Sequence, residues 1–167
     1  MRRKTLLASI VCGLIAIAVQ PKSAAAATPT LAGSWQFTLT PTAPPSPPVV
    51  PIPGLATFTT DGSAIETDGS EFVPNPSTTP IVARTPGHGI WQTANVPGSL
   101  YVEYISLELN VDGSLYARDV TTMLLALNSK GNKFAGSYTT VQEIGTVTIT
   151  LSSGTVSGQL IPHVPLP

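Results

Sequence analysis

From Gly33 to Thr40 the chain alternates, with Trp35, Phe37 and Leu39 on one face and Ser34, Gln36 and Thr38 on the other. A period of two marks a strand with one buried face. Leu55 to Thr59 and Ala64 to Thr67 form a second and third strand around Asp61-Gly62. Asp-Gly is a two-residue hairpin signal in which both central positions take positive φ. His88 to Thr93, around Trp91, gives a short strand. Leu100 to Asn110 and Leu115 to Leu127 are long strands joined at Asp112-Gly113. Ser129 to Asn132 turns the chain into Phe134 to Ile144. Gly145 breaks it, and Thr146 to Ile161 closes it, with Gly154 and Gly158 placed to bend or bulge that segment.

Two stretches interrupt the pattern. Pro41 to Pro53 holds seven prolines in 13 residues. Proline cannot donate to a sheet ladder and favours extended polyproline backbone, so a stiff exposed loop is expected. Glu71 to Pro86, rich in Pro, Thr and Ser, reads as irregular. Beyond Val19 no segment repeats its apolar residues with a helical period. About eight sequential antiparallel strands predict an all-β domain over 28–167. An up-and-down barrel removes the sticky edges of an open sheet; a two-sheet β-sandwich is the alternative.

The N-terminus adds a destination. Arg2, Arg3 and Lys4 precede an apolar run from Leu6 to Val19, and Ser23 to Ala27 are small. These are the three parts of a secretory signal peptide, expected to span residues 1–27. The expected localisation is secreted or periplasmic. Cys12, the only cysteine, lies within it, so disulfides and thiol chemistry drop out of the remainder. Val11 directly before Cys12 is too branched for a lipidation site. The apolar run is short for a membrane span, and no membrane association is expected after cleavage. The remaining chain keeps only Arg84, Arg118, Lys130 and Lys133 against all nine acids. That excess argues against nucleic acid as a partner.

Little chemistry stands out. His88 and His163 form no ligand-spaced pair, and the Asp-Gly-Ser segments lack the alternating acids and closing Glu of a calcium loop, so no metal and no cofactor are expected. There is no Gly-x-Ser-x-Gly elbow, and no catalytic residue is assigned. Glu103 and Glu108 are five apart on one strand and face opposite sides, which does not suit a two-carboxylate site. Across the Asp112-Gly113 turn, Asp119 falls near Ser106, Arg118 near Leu107 and Tyr116 near Leu109.

Arg118 and Asp119 interrupt an apolar strand and, being adjacent, point to opposite faces. One of them is expected inside, where an unpartnered charge is expensive. Both faces are apolar from Met123 to Leu127, so alternation does not choose between them. Tyr101, Tyr104 and Tyr116 combine a flat apolar face with a hydroxyl and suit a ligand cavity. Tyr101, Tyr104, Tyr116, Arg118 and Asp119 are therefore the candidate ligand-binding residues, and Trp35 and Trp91 are structural plugs.

Gly33-Ser34-Trp35 at the start of the first strand resembles the Gly-x-Trp opening of calycins, the group of lipocalins and avidins. Gly87-His88-Gly89-Ile90-Trp91, the paired long strands around Asp112-Gly113, and Lys133 to Tyr138 together resemble small exported bacterial calycin-like barrels of unassigned function. The resemblance implies a barrel whose floor is packed by Trp35. It leaves the ligand open, because the lipocalin Thr-Asp-Tyr motif, the closing arginine of the last strand and the avidin biotin contacts are absent.

The expected function is a secreted, non-enzymatic barrel that binds a small apolar or amphipathic molecule. Small inward residues favour an internal cavity. One alternative is a structural or adhesive envelope protein with a filled barrel. Another is a barrel-cyclase-type enzyme resembling allene oxide cyclases or dirigent proteins, with Glu103, Arg118, Asp119 and the tyrosines as candidates. Oligomeric state is not legible.

Overall fold

The computed structural model describes residues 30–43, 50–69 and 81–162, with only the backbone of Ile81 and Val82. The expected signal segment, the central part of the proline-rich loop, residues 70–80 and His163 lie outside the described residues. Nine strands form one antiparallel sheet: β1 (Gly33–Ala43), β2 (Ile52–Phe58), β3 (Ser63–Asp68), β4 (Ile81–Arg84), β5 (Gly87–Thr93), β6 (Ser99–Asn110), β7 (Leu115–Leu127), β8 (Lys133–Ile144) and β9 (Val147–Leu160). Apart from β4, which pairs with β6, each strand pairs with the next in the chain, β3 passing over β4 to pair with β5, and β9 returns to pair with β1. The result is the expected closed up-and-down barrel rather than a sandwich.

The count resolves to eight staves, because β4 and β5 both pair with the same side of β6. β5 takes His88↔Ile105 to Thr93↔Leu100, and β4 takes Ile81↔Asn110 to Arg84↔Glu108. Pro86 separates them. It has no N–H for the ladder, so the stave breaks and re-forms. Thr85 spans the gap: its N donates to Leu107 O (2.9 Å) and its hydroxyl accepts from Leu107 N (3.0 Å).

Several boundaries differ from the alternation. β1 runs through Pro41 to Ala43 and β2 begins at Ile52, so both ends of the proline-rich segment are strand. Ile81–Arg84, within the stretch expected to be irregular, is also strand. The bulge in β9 falls at Leu151, where Thr140↔Ser152 is followed by Val141↔Thr150, rather than at Gly154 or Gly158. The Asp-Gly turns are not two-residue turns either. Only Gly62 and Gly113 have positive φ, and Asn110 N donates to Ser114 O across a three-residue loop (2.9 Å). Asp61 Oδ1 accepts from Ser63 N and Asp112 Oδ1 accepts from Ser114 N, at 3.0 and 2.9 Å. Each aspartate side chain closes its own turn and keeps its backbone at negative φ.

One end of the barrel is closed by apolar packing. Trp35 is fully buried, its Nε1 donates to Leu31 O at 2.7 Å, and its ring lies 5.1 Å from that of Phe134. Leu31, Phe58, Leu100 and Leu125 complete this core. Trp91 is half-buried at the edge of the core and donates from Nε1 to Thr59 O (2.8 Å). Inward glycines do not leave space here. A Cβ on Gly54 would overlap the Phe37 ring, and one on Gly158 would overlap Phe134, so rings lie directly on the glycine backbone.

Candidate functional site

The interior changes character along the barrel axis. Successive layers across β6, β7 and β8 can be followed from the register. Leu100↔Leu125 and Val102↔Met123↔Tyr138 are the apolar layers. Tyr104↔Thr121↔Thr140 comes next, then Ser106↔Asp119↔Gln142, then Glu108↔Ala117. Strand alternation explains the grouping, since residues two apart share a face. Glu66 and Asp68 from β3 and Arg84 from β4 join the same end. Glu66, Asp68, Ser106, Glu108, Asp119, Thr121, Thr140 and Gln142 are all buried.

Arg84 is central to this cluster. Its Nε lies 3.4 Å from Asp119 Oδ2 and its Nη1 lies 3.6 Å from Asp68 Oδ1. Burial works against its charge, but Asp68, Asp119 and Glu66 together outweigh that and hold its pKa above the ordinary value. Gln142 Nε2 donates to Glu108 Oε2 at 3.0 Å, and the hydroxyls of Thr121 and Thr140 bond to each other at 2.8 Å. Gly87 makes room for the cluster: a Cβ there would overlap the Glu66 carboxylate and the Tyr104 ring.

Burial, the Asp119 charge and a hydrogen bond that protonated Glu108 donates to Asp119 push Glu108 up to about 7, against the pull of Arg84. Asp119 is also raised, by burial, with Arg84 opposing. The two carboxyls titrate as a pair. The Tyr104 hydroxyl is driven well above its ordinary range by burial and by Glu66 and Asp68. The Asp119 carboxylate faces Arg84, Gln142 and Glu108, while two buried hydroxyl oxygens here, Tyr104 Oη and Ser106 Oγ, make no well-formed hydrogen bond among the described residues. Each such buried group costs about 1–3 kcal/mol, and natural proteins seldom leave them without a role.

No family model matches this chain, and neither a curated protein nor a solved structure matches it.

The structure brings two of the five candidate residues into this interior, Tyr104 and Asp119. Asp119 is the inward member of the charged pair; Arg118 points outward and meets Glu143 at 3.6 Å. Tyr101 also faces outward. Its hydroxyl donates to Glu103 Oε2 at 2.5 Å, and that bond, with burial, raises its pKa to about 12. Tyr116 sits beside a bulge where Leu109 pairs with Leu115, one position off the even register, and it faces outward on the parity of Arg118. Asp119↔Ser106 and Arg118↔Leu107 follow the expected register. His88 is exposed on the outer face of β5.

Sequence reasoning missed Glu66, Asp68, Arg84, Ser106 and Glu108 as a group. A signal was present: Glu66 and Asp68 share the face of Ala64, and Glu108 lies on the face opposite Glu103. What sequence does not show is that these faces meet inside one barrel.

Proposed function

We propose that this chain is an exported, non-enzymatic calycin-like barrel that holds one small amphipathic molecule at its polar end. The observation that carries the reading is the pair of buried hydroxyls on Tyr104 and Ser106 that make no well-formed hydrogen bond among the described residues, beside the buried Asp119 carboxylate. They converge from adjacent layers of the β6–β7 ladder, as a site for a ligand's polar group would. The packed aromatic end leaves no comparable role for a buried apolar tail. The ligand's apolar part would instead lie towards the end that carries the β6–β7 and β8–β9 turns. There the β6–β7 and β8–β9 hairpins carry exposed Val111, Leu115, Val147 and Ile149. Export rests on the N-terminal pattern, and the calycin likeness on the Gly-x-Trp start and the meander order.

Native mass spectrometry of the protein from the organism that makes it tests this. Bound mass of a few hundred daltons, lost on denaturation, is the expected result. A protein that carries no such mass and takes up none from host extract would move the reading to a filled, structural barrel.

The Glu108–Asp119 pair favours a second reading. A buried carboxyl titrating near neutrality is a feature of acid–base sites, as the barrel-cyclase alternative requires. Turnover of the co-purified molecule that is lost in Glu108→Gln, with binding retained, would establish it.

A further inference from the structure

We infer that two copies of this chain pair edge to edge through the N-terminal part of β9, Val147 to Leu151, as an antiparallel two-fold dimer.

β9 is paired unevenly. From Ser153 to Leu160 it meets β1, but β1 ends at Ala43, opposite Ser153. Among the described residues, Val147 to Ser152 have only β8 beside them. Val147 pairs with Ile144 across the two-residue turn Gly145–Thr146. By alternation, Thr148 and Thr150 then turn their N–H and C=O groups to the free edge. Every residue from Val147 to Leu151 is exposed, so neither face of this stretch is covered among the described residues.

Soluble sheets normally protect such an edge with a lysine, a proline or a bulge, because unpaired main-chain groups recruit another strand. Val147-Thr148-Ile149-Thr150-Leu151 carries no charge and no proline. All but Leu151 are β-branched, which suits a strand paired on both sides. The bulge at Leu151 marks the end of the free stretch and leaves Val147 to Thr150 in regular register with β8. The chain itself is a poor source of a pairing strand here. The five residues after Ala43 include four prolines, which have no N–H to give to a ladder.

The stretch fits its own copy. Reversed about Ile149, Val147 meets Leu151, Thr148 meets Thr150 and Ile149 meets Ile149. Apolar side chains then lie opposite apolar ones and threonine opposite threonine, a favourable arrangement for antiparallel pairs. Charge agrees. From residue 28 onward the acids outnumber Arg84, Arg118, Lys130 and Lys133, so two copies repel each other in general. The uncharged edge is a place where they can approach. Glu143, on β8 opposite Thr148, belongs to a row that continues in the second copy through Thr150 and Val141, so it meets no like charge. Each chain presents this edge once, and pairing closes at two copies. Five residues a side make a small contact beside the about 1,200 Å² of stable interfaces, so the dimer is weak and forms at high concentration.

The test is sedimentation equilibrium of the protein expressed in the organism that makes it, from about 1 to about 300 μM. Monomer at the low end and dimer at the high end are expected. Amide exchange at Thr148 and Thr150 should slow as the dimer forms. Ile149→Lys and Ile149→Glu each set like charges against each other at the two-fold axis and should leave only monomer. Their melting temperatures should match that of the monomeric parent, because this side chain is exposed. Mixing the two variants should restore a dimer, since opposite charges then meet. Ile65→Lys, also exposed but on a strand paired on both sides, should dimerise like the parent. A protein that is monomeric throughout, a dimer indifferent to both Ile149 variants, or a mixture that stays monomeric would each overturn the inference. Slow exchange at Thr148 and Thr150 at every concentration would mean that the chain's own residues or another protein hold the edge, and would overturn it as well.

Discussion

Glu108 and Asp119 are diagonal neighbours on the interior face of the β6–β7 ladder: Asp119 pairs with Ser106 and Glu108 pairs with Ala117, one layer further towards the β6–β7 turn. Two acids two positions apart across a ladder are within side-chain reach. Burial makes them share charge unwillingly, so their protons are retained to higher pH.

This relationship sets the pH dependence of stability. Glu108 titrates at about 7 in the folded chain against an ordinary value of 4.5. An acid whose pKa is raised on folding favours the folded state when protonated. Stability should therefore be highest near the ordinary carboxyl range and fall as pH rises towards about 7, levelling off above it. Glu108 lies in the last interior layer before the β6–β7 turn, so solvent screening leaves about 1–3 kcal/mol of effect. Asp61 and Asp112 oppose this only at lower pH, because hydrogen bonds from Thr59 and Ser63, and from Ser114, hold them below the ordinary range. Urea midpoints at about pH 5 and about pH 8 check the sign. A higher midpoint at the alkaline value would contradict it.

Asp119→Asn should stabilise the ligand-free protein by about 1 kcal/mol above pH 7, since it removes a buried charge while Asp68 still meets Arg84. Arg118→Ala should change stability by less than about 0.5 kcal/mol, because its pairing with Glu143 is at the surface. Thermal melts of both variants beside the parent decide this. A destabilised Asp119→Asn would mean that the Arg84–Asp119 contact holds the barrel together.

Trp35→Ala should cost about 3–5 kcal/mol, the usual loss for a fully buried aromatic. Trp35→Phe should cost less, because only the bond to Leu31 O and part of the ring are lost. Denaturant titration with unchanged m-values would confirm both.

Gly54→Ala and Gly158→Ala should each be severely destabilising, since the added Cβ meets the rings of Phe37 and Phe134. Gly98→Ala should cost only about 1 kcal/mol: its φ of +76° is strained for alanine, but nothing lies within 4 Å of the new Cβ. Combining Gly54→Ala with Phe37→Leu should recover part of the loss. A double variant no more stable than Gly54→Ala alone would place the strain in the backbone instead.

Much of the barrel was legible in residue order. Trp35, Phe37 and Leu39 announce an inward face, and the pairing of Asp119 with Ser106 follows from counting back across the Asp112-Gly113 turn. The turn type was not legible. The same Asp-Gly dipeptide serves two-residue and three-residue loops, and the choice rests on whether Asp61 and Asp112 bond to the serine that follows. Nor was β4, because the broken stave at Thr85-Pro86 looks locally like loop.

The sequence by itself determined that this chain is all-β, where its strands other than β4 run, and which residues within a strand share a face. It determined that Arg118 and Asp119 must part company, but not which of them goes inside. Only the tertiary structure decided that, because a period of two leaves two equivalent faces and both are apolar near Met123. The burial of Ala117, Thr121 and Leu125 against neighbouring staves turned Asp119 inward. The tertiary structure alone gathered Glu66, Asp68, Arg84, Glu108 and Asp119 from four strands into one polar end, since charge interactions depend on distance in space and local periodicity carries no record of it.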